Sequence, residues 1–155
     1  MKKPVTESRY VEMFIYFSLF ILFVEIFVFI LLGEHHVDEG FYHYIAHISA
    51  QNELPYRDYI YVQTPLFPLV YGSIFKIIGT DHAIARGFTA FLGLIAILLA
   101  GKFANKSSGR RGVAVAMGLI VFQPFTIYYL TIIKLYALAS LFIVAALLPL
   151  QNQKK

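Results

Sequence analysis

The sequence predicts an all-α integral membrane protein: four transmembrane helices, with an outer loop that carries two juxtamembrane amphipathic helices. Of its 155 residues, 59% are hydrophobic and only 14% are charged, whereas soluble domains carry about 25% charged residues. Residues 112–133 contain no charged side chain, and this run exceeds the roughly 18 residues that indicate a membrane span. Basic residues flank the apolar runs instead of forming a patch, so we expect no nucleic-acid partner.

The first predicted span covers residues 13–32 and follows the basic residues Lys2, Lys3 and Arg9. Its apolar run is longer than the roughly 7–15 residues of a signal peptide, so we expect it to remain as a membrane anchor. Glu25 lies within this span. A carboxylate facing lipid near the bilayer centre costs about 2.5 kcal/mol or more, so Glu25 should face other helices.

The outer loop is predicted over residues 33–82, and its first helix over residues 38–52. Asp38 can cap the free amides at the start of this helix, and Glu39 suits the positive end of the helix dipole. At helical spacing one face collects apolar residues, and the opposite face carries His43 and His47. The two histidines have zinc-compatible spacing, but the chain has no Cys to complete a set, so no metal ligand is assigned. The apolar face comprises Phe41, Tyr44, Ile45 and Ile48.

The second loop helix is predicted over residues 65–78 and should end at Gly79. It is short for a bilayer, which requires about 20 residues. If it crossed the membrane, the basic turn at residues 105–111 would lie opposite the basic N-terminus, against the positive-inside rule. We therefore expect it to lie on the outer surface of the plasma (inner) membrane, with both termini cytoplasmic.

The remaining spans are predicted over residues 83–103, 112–131 and 135–150. Arg86 and Lys102 lie near the two ends of the first of these, where they could snorkel outward. Pro124 should kink the next one, and a tight turn near Lys134 should join the last two.

Several short motifs follow one another in a characteristic order. They are Asp38-Glu39-Gly40, Arg57-Asp58, Thr64-Pro65-Leu66, Gly79, and Ala85-Arg86 with the later Gly93. This series resembles the opening of the C-type-fold membrane glycosyltransferases, specifically the bacterial and archaeal relatives of dolichyl-phosphate-mannose protein mannosyltransferases and aminoarabinose transferases. The resemblance covers about residues 10–150.

The resemblance implies transfer of a sugar from a polyprenyl-phosphate donor to a hydroxyl of an acceptor protein, lipid or glycan at the outer membrane face. It implies that Asp38 is the general base and that Glu39 orients it. Arg57 would hold the leaving phosphate, although an Arg57–Asp58 surface pair is an equal alternative. Gln63 stands where related enzymes often place a basic residue, and it supplies an amide instead. The implied substrate-binding residues are Arg57, Asp58, Gln63 and Lys134.

Lys134 stands where many relatives carry an acidic residue that is sometimes associated with a metal. No metal ligand is therefore assigned, and a divalent cation is kept only as an alternative cofactor. Lys134 could serve the phosphate, or it could be a lysine that snorkels to the interface.

Full-length members of that family have further spans, so the sequence is expected to be either a fragment of a longer enzyme or a short protein that retains only the first module. Activity of this chain by itself is not expected. The alternative function is a non-enzymatic four-helix membrane protein, either an assembly partner or a small transporter subunit.

Overall fold

The computed structural model describes residues 5–34 and 36–150, with side chains from residue 9 onward. Lys2, Lys3, His35 and the C-terminal lysines lie outside the described residues. The described chain is helical and contains no β-strand. Its elements are α1 (Val5–Leu32), α2 (Val37–Ala50), α3 (Leu66–Ile78), α4 (His82–Val121), α5 (Pro124–Thr131) and α6 (Tyr136–Leu150).

Two helices are long and apolar enough to cross a membrane: α1, from Arg9 to Leu32, and α4. Helices α5 and α6 meet at an angle of 106° and add a third candidate if they form one broken span. By length and composition, the described part of the chain therefore contains two or three candidate membrane spans.

Helix α4 is interrupted at Gly109, where φ is 62° and ψ is −160°. Beyond this residue the chain folds back on itself. Gly112, after this residue, lies against Ala104, before it: a Cβ atom placed on Gly112 would lie 2.8 Å from the Ala104 carbonyl oxygen. Ile97 and Met117, on opposite sides of Gly109, share an apolar cluster with Leu22 of α1. The reversal falls within the basic segment at residues 105–111, where a turn between two spans was predicted.

The predicted helix over residues 112–131 is not continuous. Helix α4 ends at Val121 and α5 begins at Pro124, because proline lacks an N–H and its ring clashes with the preceding turn. The Thr126 amide donates to the Gln123 carbonyl at 2.9 Å, which begins the new helix.

Helix α2 differs from the prediction at its start. Its N-cap is His36, whose Nδ1 accepts from the Asp38 amide at 3.2 Å. The prediction that Asp38 caps the helix is therefore wrong, and the helix ends at Ala50, before the predicted residue 52.

The predicted apolar face of α2 is only partly correct. Ile45 and Ile48 are buried, but Phe41 and Tyr44 are exposed. The reason is that α2 packs against both α3 and the rest of the helices. The face of α2 that carries Glu39 and Tyr42 is therefore buried as well.

Helix α3 begins one residue later than predicted and ends at Gly79, as predicted. The φ angle of Gly79 is 83°, a left-handed conformation that suits glycine. Tyr71 on this helix is buried, and its hydroxyl lies 2.9 Å from the Thr89 hydroxyl of α4. An apolar cluster of residues from α2, α3, α4 and α6 therefore fixes the start of α2 relative to the bundle.

Candidate functional site

Glu39 lies at the centre of a buried polar cluster at the start of α2, and its side chain is completely buried. The Arg86 Nε donates to Oε1 at 2.8 Å and the Arg86 Nη2 donates to Oε2 at 2.7 Å. The Ile133 amide donates to Oε1 at 3.0 Å. His82 Nε2 lies 3.4 Å from the same oxygen. Both carboxylate oxygens of Glu39 are therefore occupied.

Arg86 uses all five of its N–H groups in this cluster. Besides its bonds to Glu39, Nη1 donates to the carbonyls of Phe29 and Gly33 at 3.0 and 2.8 Å, and Nη2 donates to the Glu34 carbonyl at 2.9 Å. These bonds tie Arg86 to the last turn of α1 and to the two residues that follow it. The expectation that Arg86 snorkels outward is wrong, because its charge is compensated inside the protein.

Asp38 has a different environment from its neighbour. Its side chain is 60% exposed, and Oδ2 accepts from the Lys134 Nζ at 2.8 Å. His36 Nδ1 lies 3.7 Å from the same oxygen. Among the described residues, no group donates a hydrogen bond to Oδ1. Asp38 therefore presents an open carboxylate oxygen to the surroundings.

The adjacent carboxylates bind adjacent residues of the loop between α5 and α6. Asp38 binds the Lys134 side chain, and Glu39 binds the Ile133 amide. The hydrogen bond from Lys134 lowers the pKa of Asp38. Burial by itself would raise the pKa of Glu39, but hydrogen bonds from Arg86 and Ile133 outweigh it and lower that pKa. Of the two carboxylates, Asp38 is the one with an oxygen that accepts no hydrogen bond from the described residues.

Arg57 and Asp58 form the surface pair that was the alternative to phosphate binding. Arg57 Nε donates to Asp58 Oδ1 at 2.9 Å and Nη2 donates to Oδ2 at 2.7 Å. The Leu54 amide also donates to Asp58 Oδ2, at 2.8 Å. The Arg57 side chain is 66% exposed. The structure does not bring this pair into the hydrogen-bonded cluster of Asp38, Glu39 and Lys134.

Gln63 accepts hydrogen bonds from the hydroxyl groups of three tyrosines. Its Oε1 accepts from the hydroxyls of Tyr42 at 2.9 Å and Tyr61 at 3.4 Å, and its carbonyl accepts from the Tyr56 hydroxyl. Tyr42 lies one helical turn after Asp38 on α2. Gln63 therefore connects to the site through Tyr42.

Two cavities adjoin the cluster. One, of about 460 Å³, is lined by residues of α1, the segment that follows it, and α5: Phe29, Gly33, Glu34, Pro124, Phe125 and Tyr128. The other, of about 410 Å³, lies between α5 and α6 and is lined by Thr126, Tyr129, Leu130, Tyr136 and Ser140. Lys134 Nζ lies 5.7 Å from the centre of the ring of Tyr136, one of the residues that line this second cavity.

The two histidines of α2 have separate partners. His43 Nε2 lies 2.9 Å from the Thr80 carbonyl oxygen, and His47 Nε2 lies 3.1 Å from the Gln51 amide nitrogen. In the part of the chain that the structure describes, no group of three or more His, Asp or Glu side chains is placed to hold a metal ion.

Comparison with known proteins gave no match: no family model, no curated protein and no solved structure is similar to this chain. The sequence did not predict the role of Arg86 as the partner of Glu39. The signal that was present is an arginine near the start of an apolar run.

Proposed function

We propose that this chain is a membrane module of a glycosyltransferase that uses a polyprenyl-phosphate-linked sugar donor. The ordered motifs of the sequence and their resemblance to that family support the proposal. The observation that carries it is the open carboxylate of Asp38, fixed at the start of α2 by Lys134. A general base needs this combination of fixed position, ionised state and access.

In the proposed reaction, Asp38 accepts the proton of the acceptor hydroxyl while its oxygen forms a bond to the anomeric carbon of the sugar. The bond from that carbon to the phosphate oxygen breaks, and its electron pair leaves with the polyprenyl phosphate. Glu39 acts as the orienting residue, because it holds Ile133 and thereby places Lys134 beside Asp38. Arg57 is an additional candidate ligand for the phosphate if it leaves Asp58.

We also propose that the chain crosses the plasma membrane four times, with both termini in the cytoplasm. The spans are α1, the part of α4 before Gly109, the part after Gly109 together with α5, and α6. The chain reversal at Gly109 supports two antiparallel passes within α4. Helices α2 and α3 then lie at the outer surface, and the basic segment around Gly109 lies inside, as the positive-inside rule favours.

Single-cysteine labelling tests this orientation, because the chain has no Cys of its own. Ile60 is 90% exposed in the outer loop, and Ser108 is exposed beside Gly109. In intact cells, an impermeant maleimide should label Ile60→Cys and should label Ser108→Cys only after the membrane is permeabilised. The reverse pattern would contradict the orientation.

The functional test measures release of polyprenyl phosphate from polyprenyl-phosphate-linked sugars. It uses the complete natural polypeptide that contains residues 1–155, in lipid nanodiscs with candidate acceptors. Asp38→Asn should lower turnover by about 100-fold or more, the loss expected for a positioned general base. Donor binding should persist, because this carboxylate acts on the acceptor.

A matched control separates catalysis from folding. Asp38→Asn leaves Lys134 without its carboxylate, whereas the double variant Asp38→Asn with Lys134→Met removes both charges and should fold. If the double variant folds, the ion pair is not needed for folding, and inactivity of a folded Asp38→Asn protein is then a loss of catalysis. The activity of the double variant itself is not used, because it also lacks Lys134. Normal turnover by folded Asp38→Asn protein would overturn the proposal and favour the non-enzymatic membrane protein.

A further inference from the structure

Three aromatic rings line the cavity of about 460 Å³ at the end of α1. Phe29 comes from α1, and Phe125 and Tyr128 come from α5. The rings of Phe29 and Tyr128 meet at 68°, with their centres 5.5 Å apart. The volume lies within the range of about 300–1,000 Å³ that small-molecule sites occupy. The cavity therefore has the size of a ligand site, with aromatic walls that are set at a steep angle to each other.

Glu34 is the charged residue among those that line this cavity. It is exposed, and it follows the end of α1. Among the described residues, no lysine, arginine or histidine pairs with its carboxylate. Arg86 binds the backbone carbonyl of Glu34, but its positive charge is balanced by Glu39. Glu34 therefore leaves a negative charge at the cavity without a cation from the described chain.

The hydrogen-bond acceptors around the cavity limit the kind of cation that fits. The carbonyls of Phe29, Gly33 and Glu34 already accept from Arg86. A primary ammonium has three N–H donors, and burial of unsatisfied donors is costly. A quaternary ammonium has no N–H donor, and aromatic rings attract it through their negative faces. The lining therefore favours a quaternary ammonium over a primary one.

We propose that this cavity binds a quaternary ammonium group, with Phe29, Phe125 and Tyr128 in contact with its methyl groups and Glu34 balancing its charge. The head group of a choline lipid and a free trimethylammonium solute share this chemistry. The site goes beyond the proposed sugar transfer and does not depend on it, so each of the two proposals can fail while the other holds.

The test measures binding of choline to the full chain in dodecyl maltoside micelles, by saturation-transfer difference NMR. One control is the neutral alcohol in which carbon replaces the choline nitrogen, and the other is ethanolamine, which is a primary ammonium. Choline should bind about threefold to tenfold more tightly than either. Equal binding of the neutral alcohol would overturn recognition of the charge. Equal binding of ethanolamine would overturn the choice of a quaternary group.

Two short-chain lipids distinguish the sources of the ammonium group. Dihexanoylphosphatidylcholine carries it, whereas dihexanoylphosphatidylglycerol has the same acyl chains without it. If the choline lipid binds more tightly than choline, the ligand is a lipid head group, and the opposite order assigns a free solute. Equal binding of the two lipids would overturn recognition of the head group, and binding of neither choline nor the choline lipid would overturn the site.

The role of the carboxylate is tested by Glu34→Gln, which removes the charge and keeps the shape. Choline binding should weaken by about threefold, as expected for loss of an exposed ion pair. Glu53→Gln is the matched control, because it makes the same change of charge in a residue that does not line the cavity. An equal loss in both variants, or no loss in Glu34→Gln, would overturn the role of Glu34.

The role of the rings is tested at Tyr128. Tyr128→Leu removes the ring and should weaken choline binding by about threefold to tenfold, whereas Tyr128→Phe keeps the ring and should bind as the wild type does. Loss of binding by a folded Tyr128→Phe protein would contradict a site built from aromatic faces. Thermal unfolding of each variant confirms that it is folded.

Phe125 allows the same test with little risk of misfolding, because 72% of it is exposed. Phe125→Leu should weaken choline binding, again by about threefold to tenfold. Phe142→Leu is the control, because Phe142 is 53% exposed on α6 and does not line the cavity. Unchanged binding by folded Phe125→Leu and Tyr128→Leu proteins would overturn the proposal, and so would an equal loss in Phe142→Leu.

Discussion

Two of the arginine–carboxylate pairs in the described part of the chain have almost the same geometry and very different surroundings. In both, Nε and Nη2 of the arginine donate to the two oxygens of the acid, at 2.7–2.9 Å in their shortest bonds. Arg57 and Asp58 are neighbours in sequence and exposed. Arg86 and Glu39 are 47 residues apart and buried.

The difference lies in what each pair connects. The Arg86–Glu39 pair joins the end of α1, the start of α2, helix α4 and the loop before α6. The Arg57–Asp58 pair and its bond to the Leu54 amide stay within one turn. The contribution of an ion pair to the fold therefore depends on burial and on the segments it joins, and its distances alone do not reveal it.

Removing the buried cation should have the largest effect. Arg86→Met leaves Glu39 buried without its arginine and removes the bonds from Arg86 to the end of α1. We therefore expect a loss of about 3–5 kcal/mol in the free energy of unfolding. Thermal unfolding in detergent should show a large decrease in melting temperature. Arg86→Lys keeps the charge and should lose less. A melting temperature equal to that of the wild type would contradict the central role of this pair.

Gly33 tests the same cluster without changing a charge. A Cβ atom at Gly33 would lie 2.5 Å from the Phe29 carbonyl oxygen and 3.2 Å from Arg86 Nη1. Gly33→Ala should therefore displace the backbone at the end of α1, crowd the guanidinium, and cost about 1–3 kcal/mol. Gly40 is the matched control, since a Cβ there meets nothing within 4 Å and the residue lies in α2. Gly40→Ala should be neutral or stabilising in the same assay, and similar losses in both variants would contradict this explanation.

The Asp38–Lys134 pair should give a smaller, pH-dependent effect. The pKa of Asp38 is lower in the folded protein than its ordinary value near 3.9. The stabilisation is therefore present above that ordinary value and is lost as the pH falls through the folded pKa. Melting temperatures of the wild type and Lys134→Met should differ most near neutral pH and converge in acid. If the two melting temperatures differ by the same amount at every pH, protonation of Asp38 does not weaken its interaction with Lys134.

The sequence predicts local features of this structure well. Gly79 ends α3 because a left-handed residue suits glycine, and Pro124 breaks the helix because it lacks an N–H. The acidic pair at the start of α2 also follows from local preference. Each of these effects depends on residues within one or two turns.

Long-range pairing could not be predicted in the same way. Arg86 and Glu39 are 47 residues apart, and the usual rule for an arginine near the end of a span is that it snorkels outward. Similarly, Asp38 was predicted to cap α2, whereas its side chain binds Lys134 from a loop far along the chain and His36 is the cap. Contacts between residues so far apart in the chain are not visible in a single sequence.

The smallest effect on folding should come from the exposed pair. Arg57→Ala removes a guanidinium that is mostly in water, so the melting temperature should hardly change, and added salt should reduce even that change. Asp58→Ala should cost more, because Asp58 also accepts from the Leu54 amide and shapes the turn. If Arg57→Ala lowered the melting temperature as much as Arg86→Met, the contrast between the two pairs would be wrong. If folding is unchanged, Arg57 can leave Asp58 at little cost, which is the property that a surface cation needs in order to bind a phosphate.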